Sequence, residues 1–178
     1  PVWDTGLACL ALQQSEDRAD TQQIMNGLNW LKERQLLDEP GDWQWSRPQL
    51  RGGGWAFEFA NDYYPDVDDT PVVAWAMLNT GDKRFHESIE RAAEWLVGMQ
   101  SSNGGWASFD VDNTHYYLNE IPFADHGALL DPPTVDVTSR CITFLSHLDR
   151  RQYAASIERG LAFLRDEQEI SGCWFGRW

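Results

Sequence analysis

Three almost unbroken apolar segments divide this chain into units of similar length. They run from Leu7 to Leu12, from Val72 to Leu78 and from Cys141 to Leu148. A helix that is apolar on all sides is typical of a protein interior, because a helix that faces water carries polar residues on that side. Val72-Val73 alone would suit a strand, but the stretch from Ala74 favours a helix. The pattern predicts three buried helices.

An amphipathic segment follows each apolar one, with apolar residues at helical spacing. The apolar stripes of the second and third units consist of Ile89, Ala92, Ala93, Leu96 and Met99, and of Ile157, Leu161 and Leu164. Buried helices that alternate with one-sided helices predict an inner and an outer layer. The fold class that we predict is all-α, either a curved array of helical hairpins or an α/α barrel.

A motif of glutamine, glycine and tryptophan closes each amphipathic segment. The glutamines are Gln35, Gln100 and Gln168, at intervals of 65 and 68 residues. We assign the motif ends to Gly41-Asp42-Trp43, Gly104-Gly105-Trp106 and Gly172-Cys173-Trp174. Glycine ends a helix and the glutamine amide can bond the freed backbone groups, so we interpret the motif as structural.

An aspartate close to a threonine opens each apolar segment and keeps step with this motif. The pairs are Asp4-Thr5, Asp69-Thr70 and Asp136 with Thr138, and their aspartates lie 65 and 67 residues apart. Two landmarks with a similar period predict three copies of one supersecondary unit.

Three carboxylates crowd the start of the second buried segment, at Asp66, Asp68 and Asp69. Neighbouring carboxylates resist ionising together, so one tends to keep its proton. Such a cluster suits a cation site, a helix cap formed by Asp69 or Thr70, or a carboxylic acid that acts while protonated. The residues alone leave these interpretations open.

The composition is rich in aromatic residues and argues against several classes of function. The 178 residues include 10 Trp, 8 Phe and 5 Tyr, and ring faces that hold a cation are one reason to gather so many. A net charge of -14 argues against nucleic-acid binding. The His and Cys residues show no zinc spacing, so we expect no metal site. No apolar run approaches a membrane span, and the start at Pro1 without Met fits an excerpt of a longer protein.

Two long, aromatic connections, from Pro40 to Pro65 and from Ser108 to Pro133, lead into the second and third buried segments. Long loops inside a compact domain are usually functional. If the inner helices are parallel, both connections lie at the same end as the acidic cluster. The sequence therefore predicts a cavity bordered by acid, aromatic rings and helix N-termini.

The repeated turns resemble the QW motif of triterpene cyclases, and Asp66-Val67-Asp68-Asp69-Thr70 resembles the D-x-D-D-T signature of squalene–hopene cyclases. The resemblance covers essentially the whole chain. It implies that residues 1–178 form part of an α/α-barrel (toroid) catalytic domain in a larger two-domain cyclase. It also implies acid-initiated cyclisation of squalene to hopene or diplopterol, without a redox cofactor or a metal.

In this resemblance Asp68 protonates a terminal alkene, and Asp66 and Asp69 orient it. Asp136 matches the family's second acidic element. Arg140, four residues further on, would strengthen Asp68 as an acid or form an ordinary helical pair with Asp136. The positions that match substrate-contacting residues of the family are Trp3, Phe57, Phe109, Phe123, Ala124 and Trp178.

The resemblance also implies partners and a location. The expected partner is squalene, with monotopic membrane contact through parts outside this stretch, on the cytoplasmic side of the bacterial inner membrane. It leaves room for a homodimer. Two alternatives stay open: another D-x-D-D class II terpene cyclase with a different polyprene substrate, and a non-catalytic helical-repeat binding protein. The carboxyl of Asp68 separates them, because a scaffold has no use for it.

Overall fold

The computed structural model describes residues 1–15, 20–58, 60–113, 115–121 and 130–176, and in these ranges the chain is helical. The helices are α1 (Val2–Leu12), α2 (Asp20–Lys32), α3 (Trp43–Ser46), α4 (Asp69–Leu78), α5 (His86–Gly98), α6 (Val135–Asp149) and α7 (Ala154–Asp166). Extended segments of the described ranges pair only as isolated bridges. The predicted all-α fold class is confirmed.

The long helices form two layers. Helices α1, α4 and α6 pack side by side, and each packs against the long helix that follows it, α2, α5 or α7. At one end, Gln13 after α1 donates to the carbonyl of Ala76 in α4 at 2.7 Å. At the same end, Trp75 of α4 lies against His147 of α6, with ring centroids 5.0 Å apart. The three inner helices are therefore parallel, with their N-termini together at the opposite end.

The prediction of a fully buried inner helix holds for α4, which lies between α1 and α6, but was wrong for α1, where Leu7, Ala8 and Ala11 are exposed. Helix α4 is buried along nearly its whole length, including Val73, Ala74 and Met77, which are fully enclosed. Helix α5 buries one face only, and on its other face Glu90 and Glu94 are exposed. An inner helix packed between two neighbours has no side left for water, which explains its unbroken apolar sequence.

Hydrogen bonds define three equivalent turns at the ends of the outer helices. The glutamine amides of Gln35, Gln100 and Gln168 donate at 2.8 Å to the carbonyls of Gly53, Gly104 and Gly172. The indole N–H groups of Trp55, Trp106 and Trp174 donate at 2.6–2.7 Å to the carbonyls of Leu31, Leu96 and Leu164. The turns therefore close each outer helix as predicted.

The assignment of Trp43 to the first turn was wrong, because Trp55 makes the equivalent bond. An excursion that contains the short helix α3 separates Gln35 from Gly53 and carries a second glycine–tryptophan pair. Trp43 instead packs edge-on against Trp95, with ring centroids 6.0 Å apart. A loop inserted inside a motif leaves no signal in the spacing of the glutamines.

The register between the second and third units also differs from the prediction by one residue. The hydroxyl of Thr70 accepts from the amide of Trp55, and the hydroxyl of Thr138 accepts from the amide of Trp106. The threonines are therefore equivalent, and counting back from them pairs Asp136 with Asp68. The predicted pairing of Asp136 with Asp69 was wrong. The same count from Thr5 places Trp3 at this position in the first unit.

Candidate active site

The acidic cluster forms a tight turn immediately before α4. The Asp66 carboxyl accepts the amide N–H of Asp68 at 2.7 Å. The Thr70 hydroxyl donates to the Asp66 carbonyl at 2.7 Å, and the Trp55 carbonyl accepts the Asp66 amide at 2.7 Å. These bonds fix the backbone of the turn from both sides.

The helix-cap interpretation does not describe this turn. Asp68 occupies the capping position of α4, yet its side chain makes no capping hydrogen bond. Within the described residues, the Oδ1 atom of Asp69 is buried without a hydrogen-bond partner. The carboxyls of Asp68 and Asp69 are therefore not used to satisfy the helix N-terminus.

The three carboxyls differ in their access to solvent. Asp66 and Asp69 are 7% and 1% exposed, whereas the side chain of Asp68 is 27% exposed. Burial raises the pKa of Asp66 to about 8 and that of Asp69 to about 7. Neighbouring carboxylates add to both shifts, but they contribute less than burial. The predicted retention of protons is therefore caused by desolvation more than by crowding.

Of the three carboxyls, Asp68 is the one that forms an ion pair with Arg140. Burial raises its pKa as well, but Arg140 opposes the shift through its charge and through a hydrogen bond. The Nη1 atom of Arg140 donates to Asp68 Oδ1 and lies 3.4 Å from Asp136 Oδ2. Arg140 thus contacts both carboxylates, because it pairs with Asp136 along α6 and with Asp68 across to α4.

Asp136 stays the most acidic of these groups. Burial opposes its ionisation, but the nearby Thr134 hydroxyl, the backbone amides of Asp136 and Val137 and the charge of Arg140 hold the pKa of Asp136 below its usual range. The guanidinium carbon of Arg140 also lies 5.3 Å from the ring centroid of Trp3, within cation–π range. The equivalent positions of three successive inner helices, Trp3, Asp68 and Asp136, therefore converge on one guanidinium.

An apolar groove begins beside this cluster. It has a volume of about 330 Å³ and lies between α1, α4 and α6. Its lining residues include Trp3, Leu7, Val72, Trp75 and Arg140. A wall of this composition suits a hydrocarbon, since apolar surface that leaves water gains about 25 cal/mol per Å².

The predicted aromatic residues lie near the same end of the inner helices. Phe57 is 50% exposed and follows Trp55, whose carbonyl bonds Asp66. Phe109 is 40% exposed and follows Ser108, whose carbonyl accepts the amide of Val67 at 2.8 Å. Phe123, Ala124 and Trp178 lie outside the described residues.

Asp131 is a residue of this region that the sequence reasoning did not select. Its carboxylate accepts the backbone amides of Ser108, Phe109 and Asp110. The sequence shows only an aspartate before two prolines in a long loop, which gives no indication of this contact.

In the described ranges, no three or more His, Cys, Asp or Glu side chains are grouped so that they could hold a metal ion. None of the helices described combines the length and apolar character needed to cross a membrane.

Comparisons with known proteins identify the family. A family model described as "Squalene-hopene cyclase C-terminal domain" matches residues 1–178. The whole chain is 52% identical to the squalene–hopene cyclase of Zymomonas mobilis and 47% identical to that of Alicyclobacillus acidocaldarius. It is 50% identical to a probable squalene–hopene cyclase of Sinorhizobium fredii. The chain spans 28% of the length of each of these relatives.

These matches define a helical cyclase domain of the α/α toroid type, which agrees with the two layers of hairpins. The chain belongs to the squalene–hopene cyclase family.

Proposed function

We propose that this chain is part of the catalytic domain of a larger two-domain squalene–hopene cyclase, and that Asp68 is its proton donor. The observation that carries the proposal is the contact of Asp68 with Arg140, a residue that lines the apolar groove. The substrate is squalene, which the names of the relatives point to, and the products are hopene and diplopterol.

Solvent exposure favours Asp68 as the proton donor among the three carboxyls. A proton donor has to approach the carbon that it protonates, and Asp66 and Asp69 are almost completely enclosed. Asp68 is more exposed and belongs to the same cluster as the groove residues Trp3 and Arg140. Geometry of this kind is the first requirement for a general acid.

The surroundings of Asp68 also suit a proton donor, because burial raises its pKa and favours the protonated form before transfer. An alkene is an extremely weak base, so the carboxylate left after proton transfer has to be stabilised in place. Arg140 provides a positive charge next to that carboxylate, and the N-terminus of α4 provides a further favourable dipole. Asp66 and Asp69 have raised pKa values and stay largely neutral at mildly acidic pH, so they add little repulsion when Asp68 ionises.

The reaction to hopene consumes no proton overall. The Asp68 O–H bond breaks as a C–H bond forms at one carbon of a terminal double bond, and the resulting cation is attacked by the next double bond in turn. Loss of a proton from the final cation gives hopene, an isomer of squalene, whereas addition of water followed by loss of a proton gives diplopterol. The released proton passes to water, and the Asp68 carboxylate regains a proton from solvent before the next turnover. The faces of Trp3, Phe57 and Phe109 stabilise the intermediate cations.

The full-length protein would act at a membrane, because its substrate is a hydrocarbon. We place it on the cytoplasmic face of the bacterial inner membrane as a monotopic protein, held by surfaces outside this chain. Phe123 and Ala124 would then border the channel through which squalene enters.

Product analysis of the full-length protein tests this proposal. Purified protein is incubated with squalene in detergent, and the products are identified by gas chromatography with mass spectrometry. Hopene and diplopterol are the expected products. Cyclisation of a different polyprene in preference to squalene would favour the other class II cyclases. Binding of polyprenes without any cyclised product would favour a helical-repeat binding protein.

A further inference from the structure

A carboxylate in the connection before α6 collects three successive backbone amides. Asp131 Oδ1 accepts from Ser108 at 3.2 Å, and Oδ2 accepts from Phe109 at 2.5 Å and from Asp110 at 3.2 Å. Consecutive amides that point to one centre form a favourable site for an anion. Hydrogen bonds to an ionised acceptor are about twice as strong as neutral ones. We call residues 108–110 the clamped turn.

The clamped turn is joined directly to the acidic motif. The carbonyl of Ser108 accepts the amide of Val67 at 2.8 Å. Val67 is fully buried and stands between Asp66 and Asp68 in the chain. One peptide group thus connects the Asp131 carboxylate on one side to the backbone that carries the proton donor on the other.

The clamped turn also carries an aromatic ring of the site. The amide of Phe109 makes the shortest of the three bonds to Asp131. The Phe109 side chain is 40% exposed, so close packing does not enclose it. The position of this ring therefore depends on the backbone from which it projects.

Asp131 has an electrostatic effect in the same direction. Burial is the main cause of the raised pKa of Asp66, and the charge of Asp131 adds a smaller contribution. Asp131 therefore acts on the acidic cluster in two ways: through the hydrogen-bonded backbone of the clamped turn and through the electrostatic effect of its charge on Asp66.

We propose that Asp131 is a positioning residue of the cyclisation, which holds the Phe109 ring and the backbone of the acidic motif in a fixed relation. This inference rests on the proposed function. The carboxylate does not touch the substrate and transfers no proton. It keeps the cation-stabilising ring at a constant place relative to the carbon that Asp68 protonates.

Two substitutions in the full-length protein test the inference. Asp131→Ala removes all three acceptor bonds, whereas Asp131→Asn keeps one oxygen acceptor and brings an NH₂ group towards the remaining amide. Small misplacements of reacting groups can cost about 100-fold in rate. We expect kcat to fall about 10- to 100-fold for Asp131→Ala, with partly cyclised products, and Asp131→Asn to lie between this variant and the wild type.

Asp149 provides a matched control at a distance from the site. Its carboxylate accepts the amides of Arg151 at 2.9 Å and Gln152 at 3.0 Å in the turn between α6 and α7. Asp149→Ala should lower the melting temperature and leave kcat and the product pattern unchanged. A purely structural role of Asp131 would give this same result.

The outcomes separate the two proposals. If the wild type cyclises squalene and both Asp131 variants give the wild-type product pattern and kcat, the positioning role is wrong and the proposed function stands. If Asp131→Ala does not fold, Asp131→Asn decides by the same criteria. If the wild-type protein forms no cyclised product, the proposed function fails, and the positioning role fails with it.

Discussion

The closing turns of the outer helices and the starts of the inner helices are both repeated three times, but they differ in what is repeated. Each closing turn uses a glutamine and a tryptophan for the same two bonds, as in Gln100 to Gly104 and Trp106 to Leu96. At the starts of the inner helices the backbone geometry repeats, while the equivalent position carries Trp3, Asp68 or Asp136.

This difference separates residues that build the fold from residues for which we propose a part in the reaction. A side chain that satisfies a backbone carbonyl has one correct geometry, so every copy needs the same residue type. The position two residues before Thr5, Thr70 or Thr138 makes no such bond to a backbone carbonyl. It faces a shared guanidinium, to which the first unit brings an indole ring and the second and third units each bring a carboxylate.

Removing the shared cation should have the largest effect among the changes that keep all the carboxyls. Arg140→Met leaves the Asp68 carboxylate without its positive partner after proton transfer. We expect kcat to fall about 100-fold, since the loss of one such electrostatic contact costs about 3 kcal/mol in the transition state.

Arg140→Lys is the matched variant, because it keeps the charge but not the planar fork that reaches both carboxylates. It should recover part of the rate. The measurement is squalene turnover at saturating substrate, beside a melting curve for each variant. Equal turnover of Arg140→Met and the wild type would show that the ion pair is only structural.

A pair of threonine substitutions compares the two inner-helix starts directly. Thr70→Val and Thr138→Val each remove a buried hydroxyl that accepts a tryptophan amide, at 3.0 Å and 2.9 Å. Each should lower the free energy of unfolding by about 1–3 kcal/mol, because a buried amide loses its acceptor.

Only Thr70→Val should also lower turnover, by about tenfold, since the Thr70 hydroxyl holds the Asp66 carbonyl in the acidic turn. The readouts are the denaturation midpoint and kcat. Similar losses of turnover in both variants would contradict the claim that only the start of α4 carries the acidic turn.

A smaller effect on turnover should distinguish an aromatic ring that stabilises a cation from one that only packs in the core. Phe57→Leu keeps apolar volume but removes a π face worth about 1–2 kcal/mol to a cation in a dry cavity. It should slow the cascade several-fold or release partly cyclised products, which gas chromatography would detect.

Trp95 is the control, because it is fully buried in α5. Trp95→Leu should lower the melting temperature through lost packing, with hopene and diplopterol formed in the usual ratio. If Phe57→Leu lowered the melting temperature but left turnover and products unchanged, the role of Phe57 would be structural, like that of Trp95.

The smallest effect concerns stability and pH. The folded protein holds protons on Asp66 and Asp69 that the unfolded chain releases near pH 4, because their pKa values are raised to about 8 and about 7. The associated stability is complete below about pH 4 and is lost progressively as pH rises, until the loss ends near pH 7 for Asp69 and near pH 8 for Asp66. Each group contributes at most about 1.4 kcal/mol per pH unit.

Melting temperatures of the full-length protein between pH 5 and pH 9 check this expectation. The wild type should be less stable at the alkaline end, and Asp66→Asn should show a shallower decline because it has no proton to lose. A wild-type melting temperature that does not fall towards pH 9 would contradict the raised pKa values.

The two layers of helices were predictable because the pattern of apolar and polar residues within each helix reflects which of its sides are buried. An unbroken apolar stretch such as Val72 to Leu78 indicates an inner helix, and the stripe that contains Ala92 and Leu96 indicates an outer one. The position of the acidic cluster before an inner helix was predictable in the same way.

What the sequence did not reveal depends on contacts between distant residues. The excursion before Gly53 hid Trp55 as the tryptophan of the first turn. The one-residue register error at Asp136 became visible only through the bond between Trp106 and Thr138. Spacing along α6 indicated that Arg140 pairs with Asp136, but its second contact, with Asp68, depends on how α4 and α6 pack. The bonds of Asp131 likewise join positions that lie 21 to 23 residues apart in the chain.

The most direct test of the central claim compares Asp68→Asn with Asp136→Asn in the full-length protein. The two carboxyls hold equivalent positions and contact the same guanidinium, so the comparison keeps both of these features constant. Squalene consumption is measured for each variant after a melting curve shows that it is folded. We predict no detectable turnover for Asp68→Asn, because the amide has no acidic proton to transfer, and reduced but measurable turnover for Asp136→Asn. Cyclised products from folded Asp68→Asn would contradict the assignment of Asp68 as the proton donor.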